Sequence, residues 1–281
     1  MLKLLKSGYY TSVQDQGRFG YRNKGVPVSG AMDSLALSKA NALLENEEDA
    51  AVLEITMTGP TIEFEENTYI VLTGAKMSTT LNNQPILNYK VYEIAVGDIL
   101  SYGRLEYGFR SYLAVKGGFT TPEVLRSRSF SKALTRLTYL PDRSVLPYEP
   151  SSFFTPKIQE LKIASYFEET VLELAKGPEF NMLDNPQLEK IFGTDFTVSK
   201  ENNRMAYQLK ESIKGHAVSM LTSATLPGTV QLTPAGKLII LMKDGQTTGG
   251  YPRILQLTDK AISILAQKKY GDTISFKLLK G

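Results

Sequence analysis

Three stretches of this 281-residue sequence hold more polar and glycine residues than a strand or helix needs. The first runs from Ser12 to Tyr21 and on through Gly25 to Asp33, and it contains Gln14, Asp15, Arg18, Ser29 and Gly30. Glycines let a backbone approach a ligand closely, and a loop that ends at a helix start offers unpaired N–H groups to an anion. Ser29-Gly30-Ala31 lies just before a predicted helix, where a phosphate or carboxylate could sit. Arg18 could grip the same group with both arms of its guanidinium. The same residues also fit a structural arch in which Asp15 pairs with Arg18 and Ser29 caps the helix.

The second stretch is Gly108 to Gly118. Arg110 and Lys116 have the same parity on a predicted strand and so project from one face, either toward an anion or as a solvated basic face. Gly117-Gly118 ends that strand in an unusual turn. The third stretch, Asp244 to Pro252, contains Gln246, Thr247, Thr248, Gly249, Gly250 and Tyr251 between two apolar runs. It is longer than a hairpin turn requires, and its hydroxyls and glycine N–H groups suit phosphate or carboxylate oxygens. No Lys-Ser/Thr follows the glycines, so the phosphate loop of nucleotide-binding folds is not matched. Arg204, in a predicted turn at residues 201–205, either reaches a neighbouring site or is a surface arginine.

Composition narrows the chemistry. The chain has no cysteine and one histidine, His216, which excludes disulfides, thiol nucleophiles and His-rich metal clusters. One histidine and no Gly-x-Ser-x-Gly elbow leave little room for a serine triad. Glu54, Asp98 and Asp244 are scattered, with no spacing that marks an acid–base pair. A net charge of +3 from interspersed charges calls for neither nucleic acid nor an anionic membrane, though it suits a small anionic substrate. No apolar run is long enough for a transmembrane helix, and Met1–Lys6 lacks the features of a signal peptide, so a cytoplasmic location is expected.

The elements that must position these residues are mostly strands. Tyr69–Leu72, Lys90–Ile94, Tyr112–Val115 and Leu238–Met242 are short β-branched or aromatic runs bounded by turn residues. Asn82-Asn83 predicts a hairpin tip, and Gly97-Asp98 and Gly271-Asp272 predict turns that enter strands. Helices are expected near residues 33–44 and 258–267, each with its apolar residues on one face, and a third is expected near residues 185–192. Prolines 141, 147, 150 and 156 mark a connection or a long irregular excursion between two strand-rich halves, residues 1–140 and 155–281. Residues 96–101 resemble 270–275, which is either a faint internal repeat or a shared use of common turn dipeptides.

The ordered motifs resemble a known family. They are Gln14-Asp15-x-Gly17-Arg18-x-Gly20-Tyr21, Gly25-Val26-Pro27-x-Ser29-Gly30-Ala31-Met32-Asp33, Arg110-x-Tyr112-Leu113-Ala114-Val115-x-Gly117-Gly118, Asn203-Arg204-Met205, and Gln246-Thr247-Thr248-Gly249-Gly250-Tyr251-Pro252. This set is similar to that of the KipA/PxpC family, which includes 5-oxoprolinase C subunits and allophanate hydrolase subunit 2-like proteins. The resemblance implies a mainly β fold with a few helices, built as two cyclophilin-like β-barrels. It implies partners of the KipI/PxpB and LamB/YcsF (PxpA) types, and ATP with Mg2+, bound on this chain or another subunit, in the opening of 5-oxoproline to glutamate.

On that resemblance Arg18 and Arg110 stabilise charge on phosphoryl or carboxylate oxygens, and Asp15 is the candidate base. Gln14, Ser29, Gly30, Lys116, Gly117, Arg204 and the 246–251 loop would contact substrate or phosphate. Two other family roles stay open: an antagonist that captures a KipI-like kinase inhibitor, and the carboxyltransferase module of a urea amidolyase-like enzyme. No biotin-attachment domain is present. Arg126 and Ala206 stand where members usually carry glycine.

Overall fold

The computed structural model describes residues 1–279, most of whose regular structure is strand, with three α-helices. Contacts divide the chain into two units, one formed by Met1–Arg18 and Ser29–Phe167, the other by Phe19–Val28 and the chain from Glu168 on.

In the first unit two antiparallel sheets share a core. The six-stranded sheet runs in the order Val145–Leu146, Leu2–Lys6, Thr61–Phe64, Ile99–Ser101, Thr80–Leu81, Gln84–Pro85. The five-stranded sheet runs Tyr10–Gln14, Val52–Thr56, Leu105–Val115, Thr68–Met77, Val91–Ile94. Leu2, Leu4, Ile62 and Phe64 of the first sheet meet Val13, Leu53, Leu72 and Leu113 of the second. The other face of the five-stranded sheet carries Val52, Val71, Tyr112 and Ala114 and is covered by helix α1, Ser34–Leu43, through Ala36, Leu37, Ala40 and Leu43. Because this sheet is covered on both faces, its central strands are buried nearly throughout, so the polar residues they carry are buried as well. The resemblance implies a barrel here, but the sheet is closed over by α1 and not by its own edges.

The second unit is a closed barrel of seven strands in the order Val171–Lys176, Arg253–Leu257, Thr229–Leu232, Lys237–Leu241, Ala206–Ser212, Phe196–Asn202, Thr273–Leu278. The last strand returns to pair with the first, in parallel. Leu172, Leu174, Phe196, Val198, Tyr207, Val230, Ile240 and Phe276 are among its buried residues. Helix α2, Asn185–Gly193, starts with a capping box between Asp184 and Gln187, and helix α3, Asp259–Ala266, starts at Thr258, whose hydroxyl accepts from the Ala261 N–H.

All three predicted helices are present within a residue or two of their expected ends. Asn82 and Asn83 both take left-handed φ values, 49° and 63°, as a tight hairpin turn demands. The proline-rich stretch is an irregular excursion of the first unit: Leu140 and Tyr148 enter its core, and Phe154, Leu161 and Ile163 pack against the α1 layer. No helix among the described residues is long and apolar enough to cross a membrane.

Candidate functional site

Burial on both faces forces the polar residues of the five-stranded sheet to find partners within the protein, since each unsatisfied buried group costs about 1–3 kcal/mol. Ser12, Glu54, Tyr112 and Thr73 lie side by side across four neighbouring strands on the α1 face. Glu54 is fully buried, and its Oε2 accepts from the Met32 N–H at 2.7 Å and from the Tyr112 hydroxyl at 2.8 Å. That hydroxyl in turn accepts from the Asp33 N–H at 2.8 Å. Arg110, 2% exposed, sits one step along the same face with Nε 3.9 Å from Glu54 Oε1, and its guanidinium stacks over Phe109. Its burial overturns the solvated-face alternative. Burial, reinforced by the charges of Glu54 and Asp33, pushes the Tyr112 phenol well above its ordinary pKa, so it stays a neutral donor.

This row sets the geometry of residues 29–33. Asp33, not Ser29, caps α1, with its Oδ1 accepting from the Ala36 N–H at 3.0 Å. Its second oxygen accepts from the Tyr166 hydroxyl. The start of α1 thus already holds a carboxylate of the chain itself, at the place where the sequence suggests an external anion. Ser29 takes φ 56°, and its Oγ is buried with no hydrogen-bond partner among the described residues. Gly30, at φ 84°, lies so close to Gln16 that a Cβ would fall 2.6 Å from the Gln16 carbonyl oxygen. Only glycine fits there.

Asp15 and Arg18 are hydrogen-bonded to a neighbouring loop, residues 124–129. The Asp15 carboxylate accepts from the hydroxyls of Ser127 (2.7 Å) and Ser129 (2.5 Å) and from the N–H groups of Gly17 (2.8 Å) and Arg128 (2.5 Å). Arg18 is fully buried and donates to the carbonyls of Val124, at 3.0 Å, and of Ser127 and Ser129. Together they hold the loop in which Leu125 (φ 53°) and Arg126 (φ 61°) both adopt the left-handed conformation. Gln14 is buried and donates to Ser12 Oγ at 3.0 Å. Lys116 closes the far end of α1 by donating to the Leu44 carbonyl at 2.7 Å, and Gly117, at φ 78°, takes a bond from its N–H to Asn46 Oδ1.

In the second unit, Arg204 forms a two-pronged pair with Asp244, Nε to Oδ2 at 2.8 Å and Nη2 to Oδ1 at 3.3 Å. The 246–251 loop contains a two-residue strand, Thr248–Gly249, paired with Ser223–Ala224. A Cβ on Gly249 would lie 2.4 Å from Gln231 Nε2, so this glycine permits a close approach of the amide. Thr248, Gly250 and Tyr251 are exposed. Neither residue type nor spacing singles out Arg22, which donates through Nη2 to the carbonyls of Thr225 and Gln246. Tyr112 and Tyr166 are not marked as network members either, and Glu54 looks isolated in sequence. The alternation of polar residues within otherwise apolar strands is the available signal for Glu54 and Tyr112, whereas Tyr166 lies in irregular chain and carries none. Among the described residues no group of three or more His, Cys, Asp or Glu side chains is placed to hold a metal.

Residues 24–278 match the family described as carboxyltransferase domain, subdomain A and B. The chain is 34% identical to the 5-oxoprolinase C subunit of Escherichia coli (strain K12) over 98% of its own length and 90% of that protein's. It is similar to the solved structure of TTHA0988, with a TM-score of 0.89 at 25% identity, covering 98% of this chain and 56% of that one. It is also similar to the urea amidolyase of K. lactis, with a TM-score of 0.89 at 28% identity, covering 99% of this chain but 19% of that one. The chain therefore belongs to the carboxyltransferase domain family, subdomains A and B.

Proposed function

We propose that this chain is the C subunit of an ATP-dependent 5-oxoprolinase and that it works only in complex. The carrying observation is the extent of the likeness: a 5-oxoprolinase C subunit is matched over 90% of its length, whereas urea amidolyase is matched over a small fraction. A lactam amide resists water, so its opening is coupled to ATP. In net terms 5-oxoproline, ATP and two water molecules give glutamate, ADP and phosphate, with the lactam C–N bond broken and its carbon left as a carboxylate.

In this reading Asp15, Arg18 and Arg110, each engaged by buried partners, act by shaping loops. Gln14, Ser29, Gly30, Lys116 and Gly117 belong to the same supporting set. The 246–251 loop, exposed at Thr248, Gly250 and Tyr251, is the element that faces substrate, with Arg204 anchoring the chain beside it through Asp244. Hydroxyl and N–H donors there would stabilise charge developing on phosphoryl or carboxylate oxygens. The partners are KipI/PxpB-like and LamB/YcsF-like subunits, ATP with Mg2+ is bound on this chain or one of them, the complex is cytoplasmic, and both units derive from cyclophilin-like barrels.

A carboxyltransferase acting with a separate biotin carrier is the second reading, favoured by the family description and by the urea amidolyase likeness. The test is ADP release by the chain co-purified with its two partners, with and without 5-oxoproline. Release that depends on 5-oxoproline supports the oxoprolinase. Transfer of carboxyl from a carboxybiotin carrier, with no response to 5-oxoproline, would replace it with the second reading.

A further inference from the structure

Three arginines gather around the short ribbon of the second unit, and two of them are neutralised. Arg204 is paired with Asp244. Arg253 is clamped by Glu179, Nε to Oε2 at 3.0 Å and Nη2 to Oε1 at 2.7 Å, while its Nη1 donates to the Ala224 carbonyl. Arg22 differs. It donates to the carbonyls of Thr225 and Gln246 through Nη2, has no carboxylate among the described residues, and its Nη1 is buried with no hydrogen-bond partner. Burial lowers its pKa from the ordinary arginine value, the mark of a cation whose lost hydration is not made up by a counter-charge.

The chain next to Arg22 also has unused polar groups. Gln246 offers its carbonyl to Arg22 and to the Thr225 hydroxyl, but the side chains of Gln246, Thr247 and Thr248 make no hydrogen bonds among the described residues. An unpaired guanidinium beside uncommitted hydroxyls and an amide is a donor set without its acceptor. Planar, two-pronged recognition by arginine suits carboxylate and phosphate alike.

We infer that Arg22, with the 246–248 segment, forms an oxyanion subsite in the second unit that takes the carboxylate or phosphoryl group of a ligand. The inference depends on the oxoprolinase reading only for naming the anion: the 5-oxoproline carboxylate or an ATP phosphate. Because Nη1 is buried, an anion can reach it only through a local shift of the ribbon, whose 248–250 side carries glycines at 249 and 250.

The test is calorimetric binding to the full chain with three probes: 5-oxoproline, its neutral counterpart 2-pyrrolidone, and inorganic phosphate. Wild type should bind 5-oxoproline or phosphate, and not 2-pyrrolidone. Binding of 5-oxoproline alone assigns a carboxylate, and binding of phosphate alone assigns a phosphoryl group. Arg22→Gln, which keeps a donor for the two carbonyls, should weaken binding about tenfold or more, and Arg22→Lys should recover part of it. Should Arg22→Gln fail to fold, the guanidinium 15N resonances of wild type give a second readout and should shift on addition of the anion. Absence of anion binding by wild type, equal binding by Arg22→Gln, or unmoved guanidinium resonances would show that Arg22 merely pins the ribbon. Anion binding that depends on Arg22 in a chain whose complex never turns over 5-oxoproline would keep the subsite and remove the oxoprolinase reading. Turnover with unchanged KM values in Arg22→Gln would do the reverse.

Discussion

Removing one oxygen, in Tyr112→Phe, should loosen the start of α1 while leaving the ring in place. The hydroxyl donates to Glu54 Oε2 and accepts from the Asp33 N–H, both at 2.8 Å and both fully buried. Its loss takes the Tyr112 acceptor away from the Asp33 N–H and leaves that carboxylate oxygen one donor short. A buried donor left without a partner costs about 1–3 kcal/mol, and a bond to a charged acceptor is worth about 1.5–3 kcal/mol. The two contributions together come to about 2.5–6 kcal/mol, or a fall in melting temperature of roughly 5–24 °C for a unit of this size. Chemical denaturation gives the stability change, and amide exchange at Met32 and Asp33 shows where it arises: both should lose protection ahead of the sheet core. A variant within about 0.5 kcal/mol of wild type, with unchanged exchange at those two amides, would refute the claim that the Glu54–Tyr112 pair organises residues 29–33.

Gly30→Ala places a Cβ 2.6 Å from the Gln16 carbonyl oxygen at φ 84°, and thermal unfolding should show a loss on the order of 2 kcal/mol or more. Arg126→Gly should act in the opposite direction. It relieves a left-handed side chain at φ 61°, worth about 1–2 kcal/mol, against an entropy cost of about 0.5–1 kcal/mol, so a small rise in melting temperature is expected. The Arg253 guanidinium, chiefly by hydrogen bonding, holds the Glu179 carboxyl below the usual carboxylate range. A depressed folded pKa gives stability that is complete above the unfolded value of about 4.3 and lost as pH falls through the folded one. Glu179→Gln should therefore cost about 1 kcal/mol at neutral pH, with the difference from wild type vanishing in acid unfolding curves.

Much of the fold can be read from the sequence because local rules and packing agree in it. The α1 region has a capping carboxylate, an apolar face and no breaker until Leu44, and the Asn82-Asn83 turn needs the left-handed conformation that asparagine tolerates. The closed barrel of the second unit is not visible in its strands, since closure depends on the parallel pairing of Val171–Lys176 with Thr273–Leu278 across a hundred residues of chain. The hydrogen-bond partners of the candidate residues cannot be read from the sequence. Arg18 and Arg110 look alike in sequence to arginines that grip a ligand, yet one holds three carbonyls and the other stands beside a buried glutamate. Arg22 is inconspicuous in sequence because what sets it apart is the absence of a carboxylate partner among the described residues, and only the positions of Glu179 and Asp244 beside its neighbours make that visible.

The most direct test of the central claim is to titrate this chain into a fixed amount of its two partner subunits and follow glutamate formed from 5-oxoproline and ATP. A subunit account predicts no glutamate without the chain, a rate that climbs as it is added, and a sharp plateau at a fixed molar ratio. Glutamate formation at full rate without the chain, or none at any ratio, would contradict it.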